Sequence, residues 1–221
     1  MQTPAERQLI DTLVGFLHDN CETRTLLNLG AGKSVVLEDK LAEKGCSFTC
    51  DRLDVDDCTV SHPNVVNCYQ CSAEDMKPLA SGAYDLVFSN YVLEHIENLG
   101  AAAREISRIL KPKGVFLASI PNPQAPEFVV ARRTPLWFHR FVRGGTGWHT
   151  EYAFSSVRAL SAVFAQAGME TVRVTYYPVI MLYFERLGPL RWLAAGYDSL
   201  VKLSGCRRLM GNVFFLAQKT S

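Results

Sequence analysis

The stretch that decides the fold is TLLNLGAGKSVVLEDK, residues 25–40. Its first part is a short apolar run, typical of a buried parallel strand, and the run leads directly into Gly30. The letters GKS match the end of a phosphate-binding P-loop, but that loop requires a glycine where this chain has Leu27. We therefore exclude a triphosphate-binding P-loop.

A dinucleotide site is the next interpretation. Gly30 and Gly32 match the first two glycines of G-x-G-x-x-G, but the third position holds Val35. What remains is a strand, a glycine turn that lets a ligand approach the backbone closely, and a helix. An acidic residue about twenty positions further on could bind ribose hydroxyls. Asp51 and Asp54 lie nineteen and twenty-two residues after Gly32, so the stretch is typical of an adenosine site.

Composition limits the function classes. The 221 residues suffice for one core, and a net charge of +1 gives no indication of nucleic acid binding. We expect no signal peptide and no span of a bilayer. Seven cysteines, an odd number, favour a reducing compartment, so we expect a cytoplasmic protein. Cys68 and Cys71 fall on a predicted strand with side chains on opposite faces, which indicates buried structural thiols and no metal site.

The apolar pattern alternates between strands and helices. Thr3, Pro4 and Glu6 indicate a helix start with a capping box. A second helix is predicted from Ser34 to Lys44, with Val36 among its buried residues. Seven strands are predicted at 25–29, 47–54, 65–71, 84–89, 115–120, 170–177 and in VFFLAQ near the end. Such alternation favours parallel pairing with helical crossovers.

Five motifs then occur in order: LLNLGAGKS, RLDVDD, SAEDMKPL, YDLVFSNYVLEHIEN and ILKPKGVFLASIPN. Together they resemble the class I S-adenosylmethionine-dependent methyltransferases, in particular the group that includes quinone-biosynthesis methyltransferases. The resemblance implies an α/β fold with a Rossmann-like, doubly wound sheet of seven strands, mostly parallel with the last strand antiparallel. It implies one domain over 1–221, with its core at 22–122 and 150–221 and insertions at about 123–150 and 178–210.

The cofactor implied by this resemblance is S-adenosyl-L-methionine, bound along the carboxyl ends of the first four strands. Asn28 stands where the family often has an acid, and Ser72 where it usually has an aspartate. The implied cofactor-binding residues are Asn28, Gly30, Ala31, Gly32, Asp54 or Asp51, Ser72, Ala73, Glu74, Ser89 and Asn90. Local resemblance favours Asp54 for the ribose, whereas spacing favours Asp51.

Methyl transfer depends mainly on holding the acceptor atom in line with the methyl group, so no catalytic triad is expected. A hydroxyl acceptor would need a general base, and the candidates are His95 and His149, either of which could instead have only a structural role. The acceptor could be a small molecule, a sugar or a lipid-linked compound. The alternative functions are a nicotinamide-dependent oxidoreductase and a non-catalytic cofactor-binding module.

The stretch 126–143 combines arginines with aromatic residues. Such a mixture is typical of a peripheral membrane contact, but it also fits a lid whose aromatic side chains pack on the sheet. We favour the lid. Nothing in the sequence indicates a nucleic acid or an obligate protein partner.

Overall fold

A seven-stranded sheet with the order β3-β2-β1-β4-β5-β7-β6 forms the centre of the protein. The structure is a computed structural model that describes residues 2–18, 24–131, 154–184 and 188–220. The strands are β1 (Arg24–Leu29), β2 (Phe48–Asp54), β3 (Val65–Gln70), β4 (Tyr84–Asn90), β5 (Leu110–Pro121), β6 (Met169–Tyr177) and β7 (Asn212–Lys219). Neighbouring strands from β3 to β5 pair in parallel, whereas β7 runs antiparallel to both β5 and β6. The predicted α/β sheet with an antiparallel last strand is confirmed.

Helices cover both faces of the sheet. They are α1 (Pro4–His18), α2 (Val36–Glu43), α3 (Leu99–Ile109), α4 (Pro126–Ala131), α5 (Val157–Gln166), α6 (Ile180–Phe184) and α7 (Leu190–Ser204), with 3-10 helices at Leu93–His95 and Arg207–Leu209. The backbone N–H of Glu6 donates to Thr3 Oγ1 at 3.1 Å, so Thr3 caps α1 as predicted. The single-domain boundaries stay a prediction.

The central strands are buried on both faces because alternate residues enter two separate apolar layers. Leu26, on β1, packs in one layer with residues of α1 and α2. Leu27, the next residue, packs in the other layer with residues of α3 and α5. This period of two explains why the strands read as continuous apolar runs in the sequence.

Two expectations about burial were wrong. Helix α2 begins at Val36 rather than Ser34. Val36 is exposed, because the helix turns Leu37 and Leu41, which are four residues apart, toward the sheet. Cys68 and Cys71 are half-buried rather than buried, since β3 is an edge strand of the sheet.

The described residues contain neither a group of side chains that could bind a metal ion nor a helix that could span a membrane. No group of three or more histidine, cysteine, aspartate or glutamate side chains in the described ranges could hold a metal ion. No helix within those ranges is long and apolar enough to cross a membrane.

Candidate functional site

The glycine turn after β1 contains two glycines with different reasons for being there. Gly30 and Gly32 both have positive φ, +70° and +54°, which other residues adopt only with strain. A Cβ atom on Gly30 would overlap the side chain of Val92, whereas a Cβ atom on Gly32 would meet nothing within 4 Å. Gly30 is therefore required by packing inside the protein, and open space lies beside Gly32.

A fully buried ion pair holds this turn from beneath. Arg52 Nη1 lies 2.7 Å from Glu38 Oε1, and neither side chain is exposed to solvent. Arg52 Nη2 donates to the backbone carbonyls of Ala31, Gly32 and Ser34 at 2.9, 3.1 and 2.9 Å. One guanidinium therefore fixes three carbonyls of the turn and leaves the opposite side of the turn for a ligand.

Asn28 belongs to the same buried group. Its Nδ2 donates to Glu38 Oε1 at 2.8 Å. A carboxylate at position 28 would lie against that of Glu38 and could not donate to it. Glu38 thus supplies the negative charge beneath the turn in this chain, and Asn28 fits as its donor. Sequence reasoning missed Glu38 and Arg52, although a charged residue inside a buried strand was a visible signal for Arg52.

The two candidate ribose acids have different surroundings. Asp51 is buried inside the sheet, where Oδ1 accepts from the backbone and side-chain nitrogens of Asn67 at 3.1 and 3.0 Å. Its Oδ2 accepts from the Tyr84 hydroxyl at 2.7 Å. Burial and this bond raise the pKa of Tyr84 far above its usual value, so the hydroxyl stays a donor. Asp51 therefore serves the packing of β2, β3 and β4.

Asp54 ends β2 beside the glycine turn. Its Oδ2 accepts from the backbone N–H of Gly32 at 2.8 Å, and its Oδ1 accepts from the backbone N–H of Asp56 at 3.0 Å. A carboxylate offers about four acceptor positions, so each oxygen keeps one for a ligand. The structure brings Asp54, and not Asp51, to the turn.

The loop after β3 is tied to the start of α3. Ser72 Oγ accepts from the backbone N–H of Glu74 at 3.1 Å, and Glu74 Oε1 accepts from the backbone N–H of Asn98 at 2.9 Å. Asn98 in turn caps α3, and Ala73 is buried. These contacts hold the loop, and therefore the Ser72 and Glu74 side chains, at the carboxyl edge of the sheet.

Buried polar atoms gather where β4 and β5 end. Among the described residues, Ser89 Oγ, Asn90 Oδ1, Ser119 Oγ and Glu94 Oε2 are buried without a hydrogen-bond partner. Strand register pairs Ser89 with Leu29, the residue before Gly30, and Asn90 with Ser119. Asn90 and Ser119 share one side of the sheet, whereas Ser89, the residue before Asn90, faces the other. Since buried polar groups nearly always have partners, a ligand at the carboxyl ends of β4 and β5 would supply them.

The turn LEH after β4 differs from the expectation based on its histidine. His95 is exposed, whereas Glu94 is 4% exposed. Burial raises the pKa of the Glu94 carboxyl to about 8, from an ordinary value of 4.5. The titratable side chain that the structure turns inward is therefore Glu94, which sequence reasoning missed because histidine is the commoner base. His149 and residues 132–143 of the predicted lid lie outside the described residues.

Asp85 marks the opposite edge of the sheet. Its carboxylate contacts Arg24 Nη1 at 3.0 Å and Lys111 Nζ at 2.8 Å, and it accepts from the backbone N–H of Thr25. A cavity lined by these charged residues lies at the amino end of β4, away from the glycine turn. Asp85 therefore braces the sheet and takes no part in the candidate site.

Comparisons with known proteins find similarity to methyltransferases. The methyltransferase domain family matches residues 27–118. A ubiquinone biosynthesis O-methyltransferase of Pseudomonas paraeruginosa is 28% identical over 173 residues, which cover 72% of each chain. Together these matches support a class I S-adenosylmethionine-dependent methyltransferase.

Two further matches add to these comparisons. An uncharacterised Escherichia coli protein, YafE, is 42% identical over 50 residues, but the match covers only 24% of its length. The structure of Haemonchus contortus phosphoethanolamine N-methyltransferase 2 with S-adenosyl-L-methionine has a TM-score of 0.62 and 15% identity. That match covers 97% of this chain and 53% of the other, so it shows the shared fold.

The comparisons support methyl transfer as the reaction and S-adenosyl-L-methionine as the cofactor. The comparisons do not favour the nicotinamide-dependent oxidoreductase. They leave the acceptor open.

Proposed function

We propose that this methyltransferase transfers its methyl group to a hydroxyl oxygen of an acceptor bound above the ends of β4 and β5. The observation that carries the proposal is that polar atoms near the carboxyl ends of β4 and β5 are buried without partners, at Ser89, Asn90, Ser119 and Glu94. A charged or hydroxyl-bearing ligand would satisfy these atoms, whereas an apolar one would leave them unpaired at a high cost.

The cofactor fits the same edge. We assign its methionine part to the turn Gly30–Gly32, where the open side of Gly32 leaves room for a ligand. Asp54 would accept from both ribose hydroxyls with its remaining acceptor positions. The loop 72–74 would contact the adenine, and Ser89 and Asn90 the sulfonium end.

Glu94 is our candidate for the proton acceptor. With a pKa of about 8 in the free protein, its carboxyl is close to the range in which a general base works best. A cation within a few ångströms stabilises a carboxylate, so a bound sulfonium would lower that pKa toward neutrality. Exposed His95 is the weaker candidate on the same turn.

The O-methyltransferase relative supports a hydroxyl acceptor by its name alone, which says that it acts in ubiquinone biosynthesis. A phenolic compound is therefore the first probe to use. A sugar hydroxyl is the second candidate, since the polar cluster at Asn90 and Ser119 suits a hydroxylated ring as well.

The test is a transfer assay with methyl-labelled S-adenosyl-L-methionine and 3,4-dihydroxybenzoate, followed by mass spectrometry of the product. We expect a methoxy product, and Glu94→Gln should lower kcat about 10²–10⁴-fold while the affinity for the cofactor stays unchanged. The control, His95→Gln, should change kcat much less. Methylation of a ring carbon, or full activity of Glu94→Gln, would refute the proposal.

A further inference from the structure

Helix α7 (Leu190–Ser204) presents an apolar face to solvent. It buries only Ala194 and Val201 among its apolar residues. Leu203 is 84% exposed and Trp192 is 68% exposed, and Leu193 and Leu200 are nearly as open. At 100° per residue these four side chains lie on one side of the helix, opposite the two buried ones.

The inward side of α7 explains how the helix is attached. The Asp198 carboxylate accepts from the backbone N–H groups of Ile180 and Met181, at 3.1 and 2.9 Å, where α6 begins. That contact is favourable because the start of a helix carries partial positive charge. Asp198 is therefore used inside the protein and adds no negative charge to the outer face.

The charge around the outer face is positive. Residues 188–209 contain four basic side chains and one acidic one, Asp198, giving a net charge of +3. The basic residues are Arg191, Lys202, Arg207 and Arg208, and all are exposed. Arg191 lies over the ring of Trp192 with its guanidinium carbon 4.7 Å from the ring centroid. A basic border around exposed tryptophan and leucine side chains is the pattern of a helix that lies in a membrane interface.

The position of α7 connects this face with the candidate site. Helices α6 and α7 link β6 to β7, and register pairs Asn212, the first residue of β7, with Pro121 at the end of β5. Asn122 Nδ2 also donates to the carbonyls of Arg207 and Met210, at 2.9 and 2.8 Å, which fixes the end of this link beside β5. The outer face of α7 therefore borders the edge of the sheet that carries the candidate site.

We propose that the outer face of α7 docks on an anionic lipid bilayer and that the acceptor is a membrane-dissolved, lipid-linked compound. An anionic lipid bilayer is the partner whose charge is complementary to this face. The residues at the border of the face are basic, and the single acidic residue of α7 faces inward. Near the surface, each basic residue strengthens binding to anionic lipid several-fold. The acceptor class rests on the proposed function, whereas docking itself does not.

Vesicle flotation tests the docking. The full chain should float with vesicles of phosphatidylcholine mixed with phosphatidylglycerol, less with phosphatidylcholine alone, and less again at high salt. Leu200→Ser/Leu203→Ser should weaken binding to the mixed vesicles at least tenfold, and Arg207→Gln/Arg208→Gln should weaken it severalfold. The matched control is Val66→Ser/Val172→Ser, which removes exposed valines from β3 and β6 and should bind like the wild type.

Two outcomes would overturn the docking. One is a wild-type chain that stays with the aqueous phase at low salt. The other is a wild-type chain that forms a dimer in light scattering and binds no vesicles, and whose dimer is dissociated by Leu200→Ser/Leu203→Ser. The face would then join two copies of the chain.

Transfer to soluble 3,4-dihydroxybenzoate is measured in parallel. If the proposed function is wrong, that assay fails while flotation is unaffected. Lipid-linked acceptors in the vesicles should be methylated by the wild type and much less by Leu200→Ser/Leu203→Ser; equal rates would refute the acceptor class.

Discussion

The glycine turn and helix α7 reverse the usual distribution of side chains in opposite ways. Beneath the turn, the charged side chains of Arg52 and Glu38 are completely buried. On α7, the apolar side chain of Leu203 is 84% exposed. The first reversal supports a backbone that has to receive a ligand, and the second leaves an apolar surface for a partner. Departures from ordinary burial therefore mark both functional regions of this molecule.

The largest effect is expected when the buried pair is broken. Arg52→Met leaves the Glu38 carboxylate buried without its cation and should lower the free energy of unfolding by about 3–5 kcal/mol. The double variant Arg52→Met/Glu38→Leu should recover much of this loss. Urea denaturation measures both.

The control for this variant lies close by. Lys33 forms a 3.0 Å ion pair with Asp57, but both side chains are mostly exposed. Lys33→Met should therefore change the stability by less than about 0.5 kcal/mol. Equal losses in Lys33→Met and Arg52→Met would show that burial of the pair is not what matters.

The two glycines of the turn should differ in a way that the sequence alone does not reveal. Alanine at either position is strained by the positive φ, by about 1–2 kcal/mol. Gly30→Ala should cost about 1–3 kcal/mol more, because its Cβ would overlap Val92. Val92→Ala should relieve this extra loss in Gly30→Ala but not in Gly32→Ala, as read from thermal unfolding. If Val92→Ala did not relieve the extra loss in Gly30→Ala, that loss would not come from overlap with Val92.

Glu94 should give the stability a specific pH dependence. Its pKa is about 8 in the folded chain and 4.5 when exposed, so the folded chain keeps a proton that the unfolded chain has lost. This group therefore destabilises the protein progressively as the pH rises from about 4.5 to 8. Glu94→Gln should flatten the fall of Tm over that range, whereas exposed Glu97→Gln should not. Parallel curves for Glu94→Gln and the wild type would contradict the burial of this carboxyl.

The smallest effect is expected on α7. Leu203→Ser removes an apolar side chain that is already in solvent, so the stability should change by less than about 0.5 kcal/mol. Leu13→Ala on α1, a helix of the same length whose leucines are buried, should cost about 2.7–5 kcal/mol. Chemical denaturation of the two variants side by side tests the comparison. A large loss from Leu203→Ser would mean that this face is covered within the chain.

The sequence predicted most of the fold because strand and helix signals are local. The predicted strands 25–29 and 47–54 placed β1, β2 and the glycine turn after β1 correctly. The pattern could not show that Arg52 and Glu38 meet beneath the turn, since that contact depends on how α2 packs on β2. It also could not show whether the apolar residues of α7 would be covered, because amphipathic spacing defines a face without defining its partner.

The candidate site was predictable in part for the same reason. Spacing left Asp51 and Asp54 as alternatives, and only the contacts with Asn67 and Tyr84 show that Asp51 is used within the sheet. Glu94 could not be predicted because its pKa is raised by burial, which the residue type does not reveal, and the adjacent His95 is the commoner kind of base. Long-range contacts therefore supply what the local pattern lacks.

Calorimetric titration of S-adenosyl-L-methionine into the wild type, Asp54→Asn and Asp51→Asn tests the central claim most directly. Removing the charge at Asp54 weakens hydrogen bonds to the ribose, so the affinity of the folded Asp54→Asn should fall at least tenfold. Asp51→Asn should destabilise the fold but bind the cofactor with nearly the affinity of the wild type. Normal affinity in Asp54→Asn together with a tenfold loss in a folded Asp51→Asn would contradict our account of the site.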